Sequence, residues 1–397
     1  MKRIYFDHAA TTKTDPRVVE AMLPFLGETF GNPSSVHDFG QEARAAVEAA
    51  RKRVADFIGA RPDEIVFTST GTEADNFAIK GLVAAAQKKG NHIVTSSIEH
   101  HAVLHSCKKL EKQGFQVTYV PTDGHGLVNP DDVARAVMPS TVLISVMHAN
   151  HEVGTIQPTE EISKIARERG IVFHTDAVAS FGNIPVNVNK LGVDLLSLAG
   201  HQCYGPKGVG ALYVRQGVRI APFIDGGVQE DGKRAGTENV PAIVGLGKAV
   251  EVAEQEMGPA AERCKKLRDT MEAGIKERIQ FVRVNGHPER RLPGHLSICA
   301  QYIEGESMVL FLNMEGIAAS SGSTCSSKAL KASHVLTAMG VPPDVAQGSL
   351  LFSLGRENTA EDVEHFLKVF PPIVERLREM SPLYSDMKKK RGNDPGA

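Results

Sequence analysis

Apolar positions along the chain fall into two rhythms that alternate for about two hundred residues. Short β-rich runs occur at 64–69, 92–96, 116–120, 141–147, 171–175, 193–198 and 209–214. Between them lie stretches with helical spacing. Residues 40–58 place Ala43, Ala46, Val47, Ala50, Val54 and Phe57 on one face, and 159–169 repeat the pattern. Asp15-Pro16 reads as a helix start, with cap and proline in the expected order. Phe30-Gly31-Asn32-Pro33-Ser34-Ser35 reads as a turn. Thr70 opens a helix that runs to about 89. Strand–helix alternation of this kind predicts an α/β fold with a mainly parallel seven-stranded sheet.

From about 251 the texture changes. Glu251 to Arg278 predicts a long charged helix, followed by β-like runs at 281–284 and 295–300 and helices at 305–315 and 360–379. The expected division is a large domain over 13–255 and a smaller α+β domain made of 1–12 with 256–397. Ser320 to Ser327 reads as a loop, and the tail Lys388 to Pro395 as a charge run.

Composition narrows the class without naming a function. A net charge of −2 gives no bulk basic surface for nucleic acid or membrane. No apolar run approaches the ~20 residues of a membrane helix, and the first residues lack a signal-peptide pattern. Five cysteines, Cys107, Cys203, Cys264, Cys299 and Cys325, form no CxxC pair. A reducing, cytoplasmic setting is the expectation.

Several segments carry candidate chemistry. Thr70-Gly71-Thr72 follows a strand and opens a helix, so it is either a phosphate cradle or a helix cap. Asp176, at a strand end, is either the partner of a cationic ring nitrogen or a cap. Histidines gather near strand ends at His100, His101, His148, His151, His174 and His201, although no metal-binding spacing such as HExxH occurs. Cys325 sits among serines and glycine, where a thiol is either a nucleophile or an inert surface group.

The ordered series Phe6-Asp7-His8-Ala9-Ala10-Thr11-Thr12, Thr72-Glu73-Ala74-Asp75-Asn76, Glu99-His100, Asp176-Ala177, Tyr204-Gly205-Pro206-Lys207-Gly208, Arg234 to Asn239, Ser321 to Cys325 and Ser353 to Arg356 resembles cysteine desulfurases of the NifS/IscS type, within the class-V aminotransferases. The resemblance runs from Tyr5 to about Leu383. It implies fold type I of the enzymes that use pyridoxal phosphate (PLP), and a homodimer. It also implies conversion of L-cysteine to L-alanine, with the sulfur passing to an iron–sulfur scaffold protein or another acceptor. By the same resemblance Cys325 is the persulfide carrier and His100 stacks on the ring and handles protons. Asp176 pairs with the ring nitrogen, and Thr72, His201 and, across the dimer, Thr237 hold the phosphate. Asn150 and Gln202 fall at cofactor-binding positions.

Five positions depart from that pattern. Gln202 stands where the family has the lysine that forms a Schiff base, and an amide nitrogen is not nucleophilic. Ala179 replaces a glutamine, Ala199 a serine, His151 an asparagine, and Leu351 the arginine that clamps the substrate carboxylate. Lys207 is present in the family beside the Schiff-base lysine, so it is read as serving the turn. The leading expectation is a desulfurase-like protein with lost or weakened Schiff-base chemistry. An active enzyme with non-covalent PLP is the second. A metal or iron–sulfur ligand site at Cys325, with Cys203 and the pocket histidines, is the third.

Overall fold

The computed structural model describes residues 2–322 and 332–392. Its central sheet has seven strands, in the spatial order Ile65–Thr68, Gly210–Val214, Leu195–Ala199, Val172–Asp176, Thr141–Ser145, His92–Ser96 and Gln116–Val120. Gly210–Val214 alone runs against its two neighbours, and the remaining pairs are parallel. The cause is the short link from Ala199 to Gly210. A parallel return needs a crossover of about a dozen residues or more, and this link is a glycine-rich turn.

Strands such as Leu195–Ala199 are buried along their whole length because both faces of the sheet are covered. On one face Leu196, Leu198, Ala211 and Tyr213 pack with Val47, Val54 and Ile58 of the helix Asp38–Ile58 and with Leu246 and Val250. On the other, Leu195, Leu212 and Val214 meet Phe77, Ile79 and Leu82 of the helix Gly71–Ala86 and Val103 of His101–Glu111. The two-residue alternation within each strand divides these sets.

A second core forms around an antiparallel sheet in the order Ser349–Ser353, His295–Ala300, Val282–Asn285. Phe6, Phe352, Phe366 and Phe370 fill it, with Phe352 and Phe366 edge to face at 4.9 Å. The N-terminal strand Ile4–Tyr5 pairs in parallel with Ile317–Ala318, so the first residues of the chain pack with its last third.

The long helix differs from the sequence expectation. It spans Val240–Arg278, capped by the Asn239 side chain, with a proline in its first turn. Its early turns bury Val240, Ile243, Leu246 and Val250 in the large core, and its later turns bury Met271 and Ile275 in the second. The charge that begins at Glu251 marks where the helix leaves the large core, and the helix itself starts eleven positions earlier, at Val240.

Phe366→Ala should lower stability by about 3–5 kcal/mol, read as a shift of the urea midpoint. Val36→Ala, at a residue 94% exposed, should change it by less than about 0.5 kcal/mol.

Candidate active site

The carboxyl ends of the parallel strands open into a cleft of about 440 Å³, the usual position for a ligand in a sheet of this type. Each wall is the start of a connection. Thr70, Gly71, Thr72 and Asp75 come from the helix start after Ile65–Thr68. His100 and His101 follow His92–Ser96, and His151 and Glu152 follow Thr141–Ser145. Asp176, Val178 and Ala179 end Val172–Asp176, and His201 and Gln202 follow Leu195–Ala199. Ala9, Ala10 and His295 close the cleft from the side of the second core.

The Thr70 segment is a helix cap that also borders the cleft. The Thr70 hydroxyl accepts the Glu73 N–H at 3.0 Å and is the cap. Gly71 and Thr72 then present first-turn N–H groups to the cleft, where a helix start favours an anion. A Cβ at Gly71 would stand 2.5 Å from Val178 Cγ2, so only glycine lets the helix start approach the turn after Asp176.

Asp176 is buried, and its Oδ1 accepts the Val178 N–H at 2.9 Å. Asp75 is 1% exposed, and its carboxyl, that of Asp176 and the His100 ring bring ligand-type atoms within 4.8 Å of one another. This trio has the residue types of a metal site. His100 argues against one, because its Nδ1 accepts the Ala102 N–H at 3.2 Å, which leaves the hydrogen of a neutral ring on Nε2. The ring also meets His151 edge to face at 5.2 Å.

Burial sets the charge of this region. It pushes Asp75 and Asp176 above the usual carboxylate range. It raises Glu99 to about 8, against the pull of bonds from Ser96 and Met147, and Glu152 to about 7. Burial lowers His295 to about 4 and, with neighbouring histidines, His101 to about 4 and His151 well below its ordinary value. Burial thus acts against charge on the acids Asp75, Glu152 and Asp176 and on the imidazoles of His101, His151 and His295 that line the cleft.

Gln202 is 7% exposed, and its Nε2 donates to the Ala9 carbonyl at 2.8 Å. Around it the Thr12 N–H and hydroxyl donate to the His201 carbonyl at 3.0 and 2.8 Å, and the Thr12 hydroxyl accepts the Tyr204 N–H at 2.9 Å. Residues 9–12 are thus fastened to the turn 200–204. Among the described residues no lysine lines the cleft, and Lys207 is exposed outside it.

The other candidates separate clearly. Thr72, His100, Asp176, His201 and Gln202 share the cleft. Thr237 is exposed and does not line it. Asn150 is wholly buried, donating to the Ile98 carbonyl and accepting from the Glu152 and Val153 N–H groups, so its amide serves the turn. His148 and His174 are core histidines bonded to serines. Cys203 is fully buried, its thiol donates to the Gly200 carbonyl and burial pushes it up to about 12. A metal ligand must be an accessible thiolate, so Cys203 is a packing residue. Leu351 is buried in the strand Ser349–Ser353, and Cys325 lies outside the described residues.

The class-V aminotransferase family matches residues 4–366. The chain belongs to that family. It is 55% identical over 382 residues to cysteine desulfurase IscS of Methanosarcina thermophila, covering 96% of this chain and 94% of the relative. It is 54% identical over 389 residues to cysteine desulfurase IscS of Dictyoglomus turgidum, covering 98% and 99%. A solved NifS-like protein superposes with a TM-score of 0.90 at 41% identity, covering 95% of this chain and all of that one. The chain is therefore a member of the cysteine desulfurase, IscS-type, branch, and that family implies PLP. The cleft has residues that fit the group. The Gly71–Thr72 helix start suits a phosphate, the buried Asp176 suits a ring nitrogen, and among the described residues no lysine lines the cleft.

Asp75 was legible as a member of a motif, but its part in the cleft was not. Thr72 and Asp75 are spaced i,i+3, which places them on one helix face, and that spacing was the available signal.

The raised acids and lowered histidines give opposite pH dependences. The histidines contribute stability present above their unfolded value near 6.5 and lost as pH falls toward about 4. Glu99 contributes stability present below about 4.5 and lost as pH rises to about 8. Between pH 6.5 and 8 the acid effect remains, so urea stability should fall with pH there. Glu99→Gln should flatten that decline.

Proposed function

We propose that this chain is a sulfur-transfer protein of the cysteine desulfurase family that holds PLP reversibly and has lost lysine-dependent chemistry. The observation that carries the reading is Gln202, buried at the cleft with its amide bonded to Ala9 and with no lysine beside it among the described lining residues. An amide cannot form the covalent link.

PLP, when bound, supplies an electron sink for bonds at the α-carbon of an amino acid. The Gly71 and Thr72 N–H groups and His201 would hold its phosphate, Asp176 would pair with the ring nitrogen, and His100, with its hydrogen on Nε2, would lie beside the ring. Thr237, exposed beyond the cleft, serves the phosphate of a second copy in a homodimer, as the family resemblance implies. Leu351 supplies no guanidinium for the carboxylate of L-cysteine, and loss of such a bidentate pair costs on the order of 2–5 kcal/mol. Cys325 is the sulfur carrier, and an iron–sulfur scaffold or another acceptor protein receives the sulfur. The chain divides at about residue 255, within the helix Val240–Arg278, and works in the cytoplasm. No helix among the described residues is long and apolar enough to cross a membrane.

Alanine release from L-cysteine with excess PLP tests this reading. Wild type should run about 10²–10⁴-fold below a Gln202→Lys/Leu351→Arg variant, the range for a lost general base, and Cys325→Ala should abolish sulfur transfer in that variant. Equal turnover by wild type and the double variant would overturn the proposal.

A further inference from the structure

Asp75 is a buried acid with no evident reason to be ionised. It lies one turn into the helix Gly71–Ala86, is 1% exposed and lines the cleft. Its Oδ1 has no hydrogen-bond partner among the described residues. The His174 Nε2 is 3.7 Å away, but that nitrogen is bonded to the Ser197 hydroxyl and the other ring nitrogen to Ser145. Burial pushes His174 down to about 3, so it is a neutral neighbour and no counter-ion. Burial and the neighbouring acids Asp176 and Glu99 push Asp75 up, against the smaller opposing pull of the Ser197 hydroxyl.

Asp176 is better provided. Its Oδ1 accepts the Val178 N–H, and His100 lies against it with its free hydrogen on Nε2. Two carboxyls within 4.8 Å in a buried site cannot both be ionised at low cost without a cation. Neither lysine nor arginine lines the cleft among the described residues. The proton therefore goes to Asp75, whose Oδ1 lacks a partner among the described residues, and not to Asp176, whose Oδ1 accepts the Val178 N–H.

We propose that Asp75 is the proton-bearing member of a buried carboxyl pair with Asp176, and that it leaves Asp176 as the single anion facing a cationic ring nitrogen. Asp75 is a positioning residue, acting on the ligand through Asp176. The part of this that concerns the ring nitrogen rests on the reading of the cleft as a PLP site, and the proton pairing does not. A divalent cation on Asp75, His100 and Asp176 is the competing occupant, and it would require both carboxyls ionised.

The test is infrared difference spectroscopy of the protein without added PLP at pH 7, wild type against Asp75→Asn. The expected result is a protonated-carboxyl C=O band present in wild type and lost in the variant, with the band of the neighbouring acid Glu99 kept in both. Asp75→Ser supplies the same difference if the asparagine variant does not fold. PLP dissociation constants give a second readout. Asp75→Leu should bind PLP about tenfold more weakly than Asp75→Asn, which keeps a donor toward Asp176. A carboxyl band unchanged in Asp75→Asn would overturn the pair. So would a stoichiometric divalent cation that the variant releases. A band lost as expected while wild type binds no PLP would uphold the pair and overturn the cofactor reading.

Discussion

The cleft depends on one fastening, the turn 200–204 bonded to residues 9–12. Gln202, His201 and Tyr204 all take part in it. The turn exists because the chain must reverse between Ala199 and Gly210 and has no room for a crossover helix. Residues 9–12 arrive there because Phe6, two positions after the start of the strand Ile4–Tyr5, is anchored in the second core. The bond from Gln202 to Ala9 thus joins the two hydrophobic cores at the floor of the site. A side chain committed to that bond serves architecture.

Burial then decides the electrostatics. It raises Glu99 to about 8 and Glu152 to about 7, and it lowers His295 and His101 to about 4. With no lysine or arginine on the walls among the described residues, Asp176 and the helix start at Gly71 are two polar features able to orient a ligand. One offers a negative charge and the other a positive dipole end. A phosphorylated ring with a basic nitrogen matches that pair of ends.

The sheet was legible in the sequence because its seven runs are continuous and apolar, and each was found within a few residues. The start of the long helix was not, because Val240 to Val250 is apolar and small and reads like core without a period. Motif residues reported the cleft well where a strand end placed them, as with His100, Asp176 and His201. Histidine density reported it in part, since His100, His101, His151 and His201 line the cleft. His148 and His174 lie at strand ends too, yet their rings turn into the core and bond serines. Asn150 shows the same limit, since side-chain direction within a turn is set by the orphaned N–H groups of Glu152 and Val153. Asp75 went unassigned because a carboxylate in a helical motif looks solvated until its neighbours are known.

The claim that the cleft holds PLP without a lysine link is tested most directly by borohydride reduction of PLP-saturated protein, followed by dialysis and intact-mass measurement. Reversible binding predicts an unchanged mass and loss of PLP on dialysis. One PLP fixed per chain at a single lysine, Lys207 or another, would contradict it.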